Sequence, residues 1–266
     1  MLKVNDVEIK QNHFPAGELF IKLPSQENAI INIEWLYEND AELFTLICIR
    51  RHYQNYECYL YLPYICHARM DRVKNEEDVF TLKYFCEVIN SLNFSAVYVR
   101  DAHSNVSLAL LDRVLDFGVE FYIHKAAVLS NANAIFYPDE GAMKRYSDQS
   151  ELPYAFGMKK RDWKTGEILG LDIINSENIV GKDVLIVDDI CSRGGTFLHS
   201  AKALKEAGAK SVSLYVTHLE DTVTHGELAR TDDLIDHIYT TKSIFPECLF
   251  KDPYDPYWRQ WITILK

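Results

Sequence analysis

The chain has 266 residues, of which 48% are hydrophobic, and a formal net charge of −11 at pH 7. This length favours two domains, each with its own apolar core. The acidic balance argues against general nucleic-acid binding, and the six cysteines form no C-x-x-C pair that would indicate a zinc site. Since no stretch is long and apolar enough to span a bilayer and the N-terminus has no secretory apolar region, we expect a cytoplasmic protein without a membrane partner.

In the N-terminal half, segments of β character alternate with helical ones. Short apolar runs with β-branched or aromatic residues predict strands at Ala29–Trp35, Leu43–Ile49, Glu57–Pro63 and Ala96–Val99. The spacing predicts a helix over Phe80–Leu92, with Phe80, Tyr84, Val88 and Leu92 on one face, and a second helix over Val106–Val114. Strands that alternate with helices are typical of α/β folds with parallel sheets.

The second half repeats this alternation. Strands are predicted at Ala134–Tyr137, Tyr154–Met158, Val184–Val187 and Ser211–Thr217. The helix predicted over Phe197–Ala207 is closed by Gly208. No Pro/Gly/Ser-rich linker marks a boundary, and we place the division between residues 1–126 and 127–266.

The stretch Gly181–Thr196 carries most of the chemistry. Asp188 and Asp189 follow the predicted strand Val184–Val187, and a polar loop leads from them to a helix. Paired carboxylates can accept hydrogen bonds from the vicinal hydroxyls of a ribose, and backbone N–H groups at a helix N-terminus suit a phosphate. The loop residues expected to hold that phosphate are Ser192, Arg193, Gly194, Gly195 and Thr196. The alternative is an ordinary strand-to-helix turn with two solvated acids.

The sequence VLIVDDICSRGGT resembles the phosphoribosyl pyrophosphate signature shared by type I phosphoribosyltransferases and ribose-phosphate pyrophosphokinases. The second group is also matched by Phe14–Glu18, Pro63–Arg72, Arg100–His103 and Lys159–Arg161. This resemblance implies an α/β protein of two phosphoribosyltransferase-type domains, each a mainly parallel sheet flanked by helices. It implies an ATP-side N-terminal domain and a C-terminal domain that binds ribose phosphate.

On the ATP side, the resemblance implies that Phe14 packs near the adenine and that Glu18 accepts hydrogen bonds from it, across a subunit interface. Arg69 and Asp71 would lie at the ATP site, and His103 near the ATP phosphates and magnesium. Ala16 and Met70 stand where the family has Asp and Gln, which are changes on the nucleotide side. Without the resemblance, these residues would be interpreted as a loop, a solvated charge cluster and a structural histidine.

In the C-terminal half, the resemblance implies that Asp139 holds a ribose hydroxyl or a metal-bound water. The alternative is a plain helix start that Asp139 caps. Lys159 and Arg161 match the two working cations of a mobile loop that closes over the transferring group. The implied cofactor is Mg²⁺, positioned with help from His103 and Asp139 and coordinated mostly by water and phosphate oxygens.

The implied reaction transfers pyrophosphate from ATP to the C1 hydroxyl of a ribose 5-phosphate unit and releases AMP. Plain ribose 5-phosphate is the default acceptor, and ADP-ribose, a 5′-extended form linked to NAD metabolism, is the competitor. Two alternatives are a non-catalytic regulatory homologue and a phosphoribosyltransferase that consumes phosphoribosyl pyrophosphate. The family implies a homo-oligomer, either a dimer or a hexamer.

Overall fold

A computed structural model describes residues 1–26, 29–161, 168–230, 234–245 and 261–266, with the backbone alone at 159–161, 168–169 and 230. The chain divides into two compact units, Met1–Gly118 and Val119–Lys266, which we call unit 1 and unit 2. Within the described ranges, no helix combines the length and the apolar character needed to cross a bilayer.

Unit 1 is built on a six-stranded sheet with the order β2-β1-β5-β6-β7-β8. The strands β5 to β8 run parallel, and β1 runs antiparallel to β5. A separate hairpin, β3-β4, precedes β5. The elements are β1 Leu2–Val4, β2 Val7–Glu8, β3 Asn12–His13, β4 Leu19–Phe20, β5 Ile30–Trp35, α1 Ala41–His52, β6 Glu57–Leu62, α2 Thr81–Ser91, β7 Ala96–Arg100, α3 Asn105–Leu110 and β8 Val114–Phe117.

Unit 2 contains a seven-stranded sheet with the order β11-β10-β9-β12-β13-β14-β15. Its neighbouring strands are parallel except for the antiparallel pair β10-β11. The elements are α4 Glu120–Leu129, β9 Ala134–Tyr137, α5 Glu140–Tyr146, β10 Tyr154–Arg161, β11 Ile168–Ile174, β12 Asp183–Cys191, α6 Gly195–Glu206, β13 Ser211–Leu219, β14 His237–Thr241 and β15 Ile262–Leu265, with short 3₁₀ helices at Ser176–Asn178, Asp221–His225 and Leu228–Arg230.

The central strand β12 is buried on both faces. Val184 and Ile186 belong to the apolar core that includes residues of α6, whereas Leu185 and Val187 belong to a second core with residues of α4 and α5. Helices that cover both faces of a parallel sheet explain why this strand is a continuous apolar run rather than an alternating one. The α/β fold class predicted from the sequence is therefore confirmed.

The division between the units falls at residues 118 and 119, eight residues before the one predicted from the sequence. Val119, Ile123 and Ala126, on or just before α4, pack with Ile135 and Tyr137 of β9. The packing of α4 onto the unit 2 sheet explains the earlier boundary. A boundary without a Pro/Gly/Ser linker depends on such tertiary contacts, which composition does not reveal.

One prediction for unit 1 is wrong in type, and a second is wrong in extent. Leu43–Ile49 was predicted to be a strand but lies within α1, where Leu46 and Ile49 are buried and Phe44 is 59% exposed. Burial at this spacing is helical, so the apolar run serves one face of a helix rather than a strand. The end of the helix predicted over Val106–Val114 is also different, because α3 stops at Leu110 and β8 begins at Val114.

The helix predicted over Phe80–Leu92 exists as α2, but its buried face differs from the predicted one. The core contains Leu82, Phe85, Cys86 and Ile89, and Tyr84 is 53% exposed. Both sets of residues have helical spacing. Of the predicted face, Phe80 and Leu92 at the two ends of the helix do pack against the core.

Candidate functional site

Three loops of unit 2 meet at one edge of its sheet. Asp139 follows β9, residues 192–194 follow β12, and residues 220–230 follow β13. Since β9, β12 and β13 are parallel neighbours, their carboxyl ends lie side by side. Ligands of open parallel sheets bind at this edge, which makes it the candidate site of unit 2.

Asp188 and Asp189 lie within β12, which continues to Cys191, and not after its end as the sequence suggested. Successive residues of a strand alternate between the two faces of the sheet, yet the Asp188 and Asp189 carboxylates still interact electrostatically. Asp189 is 5% exposed, and its Oδ2 lies 3.4 Å from Nη1 of Arg145 on α5. The Asp189 carboxylate is therefore held by a cation on the α5 side of the sheet.

The Asp188 side chain is partly exposed to solvent, although protein atoms surround nearly all of its carboxyl group. Burial raises the pKa of the Asp188 carboxyl well above its usual value, and the negative charges of Asp189 and Asp139 raise it further. The Asp189 N–H donates to Asp188 Oδ1 at 2.9 Å and opposes this shift. The charged form of a carboxylate in this setting is stabilised when ligand hydroxyls donate hydrogen bonds to it or when a cation lies beside it.

Asp139 is the N-cap of α5. Its Oδ1 accepts a hydrogen bond from the Ala142 N–H at 3.1 Å, as a capping aspartate does. Asp139 therefore caps the helix, and its role toward a ribose hydroxyl or a metal-bound water stays a prediction. The negative charge of Asp139 also helps to raise the pKa of Asp188, so the two carboxylates interact electrostatically.

The loop after β12 ends in a tight turn at Gly194, whose φ is +82°. The helix α6 begins at Gly195, and no side chain caps its N-terminus. The first i→i−4 hydrogen bond of α6 runs from the Leu198 N–H to the Gly194 carbonyl, at 2.9 Å. The N–H groups that precede Leu198 therefore have no partner within the helix. The predicted helix, with Gly208 at φ +95° just beyond its end, is confirmed.

Residues 220–230, which we call the strap, pack onto this loop. The Glu220 N–H donates to the Cys191 carbonyl at 2.8 Å, and the Glu227 N–H donates to the Arg193 carbonyl at 2.9 Å. The hydroxyls of Ser192 and Thr222 are 3.0 Å apart. The strap was not predicted from the sequence. Gly226 is the one sign of it that the sequence contains, and the structure explains this glycine because a β-carbon there would collide with the Arg193 carbonyl.

Gly194 makes room for the strap. A β-carbon at this position would collide with the side chain of Leu228, which is 1% exposed. We expect Gly194→Ala to lower the free energy of unfolding by about 2–4 kcal/mol, from backbone strain and overpacking together. Urea denaturation followed by circular dichroism measures this loss.

Gly181→Ala is the matched control for that substitution. Gly181 has a φ of +69°, but a β-carbon there would meet open space. Its replacement therefore carries only the conformational strain, roughly 1 kcal/mol. Equal losses for the two variants would contradict a tightly packed strap.

Lys159 and Arg161 are placed in a strand rather than in a loop. They lie in β10, paired with Leu171 and Ile168 of β11, with a register shift between positions 160 and 161. Residues 162–167 lie outside the described residues. The backbone at 159–161 thus pairs with β11 across this register shift, and the catalytic role of Lys159 and Arg161 stays a prediction.

In unit 1, two of the predicted segments follow neighbouring parallel strands. Pro63–Arg72 follows β6 and Arg100–His103 begins at the end of β7. Arg69 is exposed, and Asp71 Oδ1 lies 3.5 Å from Nε of the adjacent Arg72. The structure thus brings Arg69, Asp71 and His103 to the carboxyl edge of one sheet.

Phe14–Glu18 forms the tip of the β3-β4 hairpin. The Phe14 N–H donates to the Glu18 carbonyl at 2.9 Å, and Gly17 has a φ of +90°. Phe14 is 53% exposed, with its ring 5.5 Å from that of Phe20. An exposed aromatic ring on a hairpin tip is available for contact with a ligand.

The family profile described as the phosphoribosyl transferase domain matches residues 143–245. Ribose-phosphate pyrophosphokinase 2 of Archaeoglobus fulgidus is 31% identical over 214 residues, which cover 77% of this chain and 73% of the relative. This chain belongs to the ribose-phosphate pyrophosphokinase family. A second relative, the ribose-phosphate pyrophosphokinase of Saccharolobus solfataricus, is 26% identical over 230 residues, 82% of this chain and 79% of that one. Ribose-phosphate pyrophosphokinases are diphosphotransferase enzymes.

A solved structure supports the same architecture. The crystal structure of phosphoribosylpyrophosphate synthetase from Mycobacterium smegmatis matches with a TM-score of 0.74, covering 98% of this chain and 87% of that one at 18% identity. The match extends over both units, and at this identity it concerns the fold alone. The prediction of two phosphoribosyltransferase-type domains is thereby confirmed.

The donor groups at the unit 2 edge suit a hard cation that arrives with its substrate. In the part of the chain that the structure describes, no three His, Cys, Asp or Glu side chains are grouped so that they could hold a metal by themselves. Asp139 and Asp188 supply carboxylate oxygens, which Mg²⁺ prefers, and Mg²⁺ commonly takes one or two carboxylates together with substrate phosphates. The residues present therefore fit magnesium in that role.

Proposed function

We propose that this pyrophosphokinase-family member transfers the β,γ-diphosphoryl group of ATP to the C1 hydroxyl of a ribose 5-phosphate unit. The C1 oxygen forms a bond to the β-phosphorus, the bond from that phosphorus to the α,β-bridging oxygen breaks, AMP leaves, and the hydroxyl proton passes to solvent. The observation that carries the proposal is that Asp139, the loop after β12 and the uncapped N-terminus of α6 lie at the same carboxyl edge of the unit 2 sheet. Membership of the family supports the reaction type.

The acceptor sugar is assigned to unit 2. Asp188 and Asp189 accept hydrogen bonds from the ribose hydroxyls, and the Arg145 contact keeps the Asp189 carboxylate in one orientation. Residues Ser192 to Thr196 hold the 5-phosphate through their N–H groups and hydroxyls. This set orients the C1 hydroxyl for attack.

The triphosphate is assigned to the cationic and polar groups that the family resemblance gives to ATP. Lys159, Arg161 and Arg69 neutralise its developing charge, and Phe14, Glu18 and Asp71 contact the nucleotide. Electrostatic stabilisation and positioning supply most of the rate acceleration in phosphoryl transfer. When bound, Mg²⁺ supplies charge neutralisation on the phosphate oxygens, and His103 and Asp139 are the residues assigned to its position.

The acceptor is either ribose 5-phosphate or a 5′-extended form such as ADP-ribose. The exposed Arg193 in the phosphate loop, where the family has an uncharged residue, favours additional negative charge or bulk at the 5′ end. We propose ribose 5-phosphate as the default. The functional unit is proposed to be a homo-oligomer in which the Phe14 hairpin contacts a neighbour's nucleotide.

AMP release from ATP with each acceptor tests this proposal. We expect at least one of ribose 5-phosphate and ADP-ribose to give AMP and a 1-pyrophosphoryl sugar in equal amounts. Absence of AMP with both acceptors, in folded protein with Mg²⁺ present, would refute the enzyme assignment. In that case, capture of a catalytic homologue would favour a regulatory role.

A further inference from the structure

The strap brings a carboxylate to the phosphate loop. Glu227 lies so close to Gly195 that a β-carbon on that glycine would be 2.8 Å from Glu227 Oε2 and 3.2 Å from Oε1. The Glu227 N–H bond to the Arg193 carbonyl fixes the backbone from which this side chain extends. The glycine at 195 therefore makes room for an acidic group beside the start of α6.

The Glu227 carboxylate brings a negative charge to the N-terminal end of α6. The first turn of α6 has no acidic residue, and no side chain caps it. Across the described ranges of the chain, no cation pairs with the Glu227 carboxylate, which is exposed to solvent. A negative charge here lies in the field of the helix N-terminus, where a phosphate would also bind.

A phosphate held by residues 192–196 would lie within a few ångströms of that charge. The repulsion opposes the attraction from the helix N-terminus and the N–H groups, and solvent reduces it without removing it. We infer that the negative charge of Glu227 weakens the binding of the acceptor's 5-phosphate by residues 192–196. This inference rests on the proposed function, in which that loop holds the phosphate.

Glu227→Gln tests this role because it removes the charge and keeps the size and the backbone hydrogen bond. We expect the Kd for ribose 5-phosphate, measured by calorimetry with the full chain, to fall about fivefold. The KM should fall by the same factor, with kcat within about twofold. The difference in Kd between the wild type and Glu227→Gln should become smaller as NaCl rises from about 50 mM to 500 mM, because salt screens an exposed charge but does not affect a packing change.

Glu206→Gln is the matched control. Glu206 is exposed at the last residue of α6, so its replacement removes the same charge from the far end of the same helix. The Kd for ribose 5-phosphate should stay unchanged in Glu206→Gln. The Kd of Glu227→Asp, which keeps the charge, should stay within about twofold of the wild-type value.

A Kd that is unchanged or higher in folded Glu227→Gln would overturn the inference. The binding readout separates this outcome from failure of the proposed function. If the wild type releases no AMP while the Kd still falls in Glu227→Gln, the reaction assignment fails and the role of Glu227 stands. If turnover is present and the Kd does not fall, only the role of Glu227 is rejected.

Discussion

Replacing Asp188 with asparagine is expected to lower the rate of AMP release about 100-fold, the loss typical when one preorganised polar contact is removed from an active site. Asparagine keeps an oxygen that can accept the Asp189 N–H bond seen at 2.9 Å. It removes the charge that would attract the ribose hydroxyls or a cation. Steady-state kinetics of AMP release at saturating ATP measures the effect.

The same substitution is expected to stabilise the protein at neutral pH. Because folding raises the pKa of Asp188, this group contributes its full stability below the unfolded pKa, near pH 4, and loses it as the pH rises through the folded pKa. Asparagine does not ionise. The melting temperature of Asp188→Asn relative to the wild type should therefore increase from pH 4 to pH 8.

Asp183, at the start of the same strand, is the control, because its pKa is shifted in the opposite direction. Hydrogen bonds from Lys210, at 2.9 Å, and from Ser211 lower the pKa of its carboxyl. Its stabilisation is present above the unfolded pKa and lost as the pH falls, so Asp183→Asn should lower the melting temperature at pH 7 and keep turnover. If Asp188→Asn retained turnover, or melted lower than the wild type at pH 8, our interpretation of Asp188 would be wrong.

Replacing Lys159 with alanine is expected to lower kcat about 100- to 1000-fold and to change the KM for ATP by less than about threefold. The physical reason is that a cation on the transferring group stabilises charge that develops in the transition state more than charge in the ground state. The position of Lys159 in β10, opposite Leu171, gives it a defined backbone from which to act.

Lys160→Ala is the control for this experiment. It removes the same charge one position along the strand, opposite Gly170, at a site that matches neither of the two cations of the family segment. We expect its kcat to stay within about threefold of the wild type. Similar losses for both variants would indicate a general effect of charge rather than a role for Lys159.

The strand, loop and helix of the candidate site were predictable because their signals are local. The apolar run 184–187, the glycines at 194 and 195 and Gly208 beyond the helix each correspond to a backbone feature that the structure contains. The length of β12 was not predictable in this way. Its last residues depend on pairing with β13, which continues to Cys191 opposite Leu219.

Features that depend on distant residues were missed. Arg145 and Asp189 are 44 positions apart in the chain, and their contact requires α5 to lie on one side of the sheet. The strap reaches the phosphate loop only because β13 pairs with β12. The type of α1 was also misjudged, since burial of one face decides between helix and strand when an apolar run is short.

The most direct test of the central claim is phosphorus NMR of the products that form when ATP is incubated with each acceptor and Mg²⁺. Phosphorus NMR of the products is expected to show the β- and γ-phosphates together on C1 of the sugar, with one AMP formed for each product molecule. Formation of ADP with only the γ-phosphate transferred, or release of free pyrophosphate that never reaches the sugar, would contradict the account.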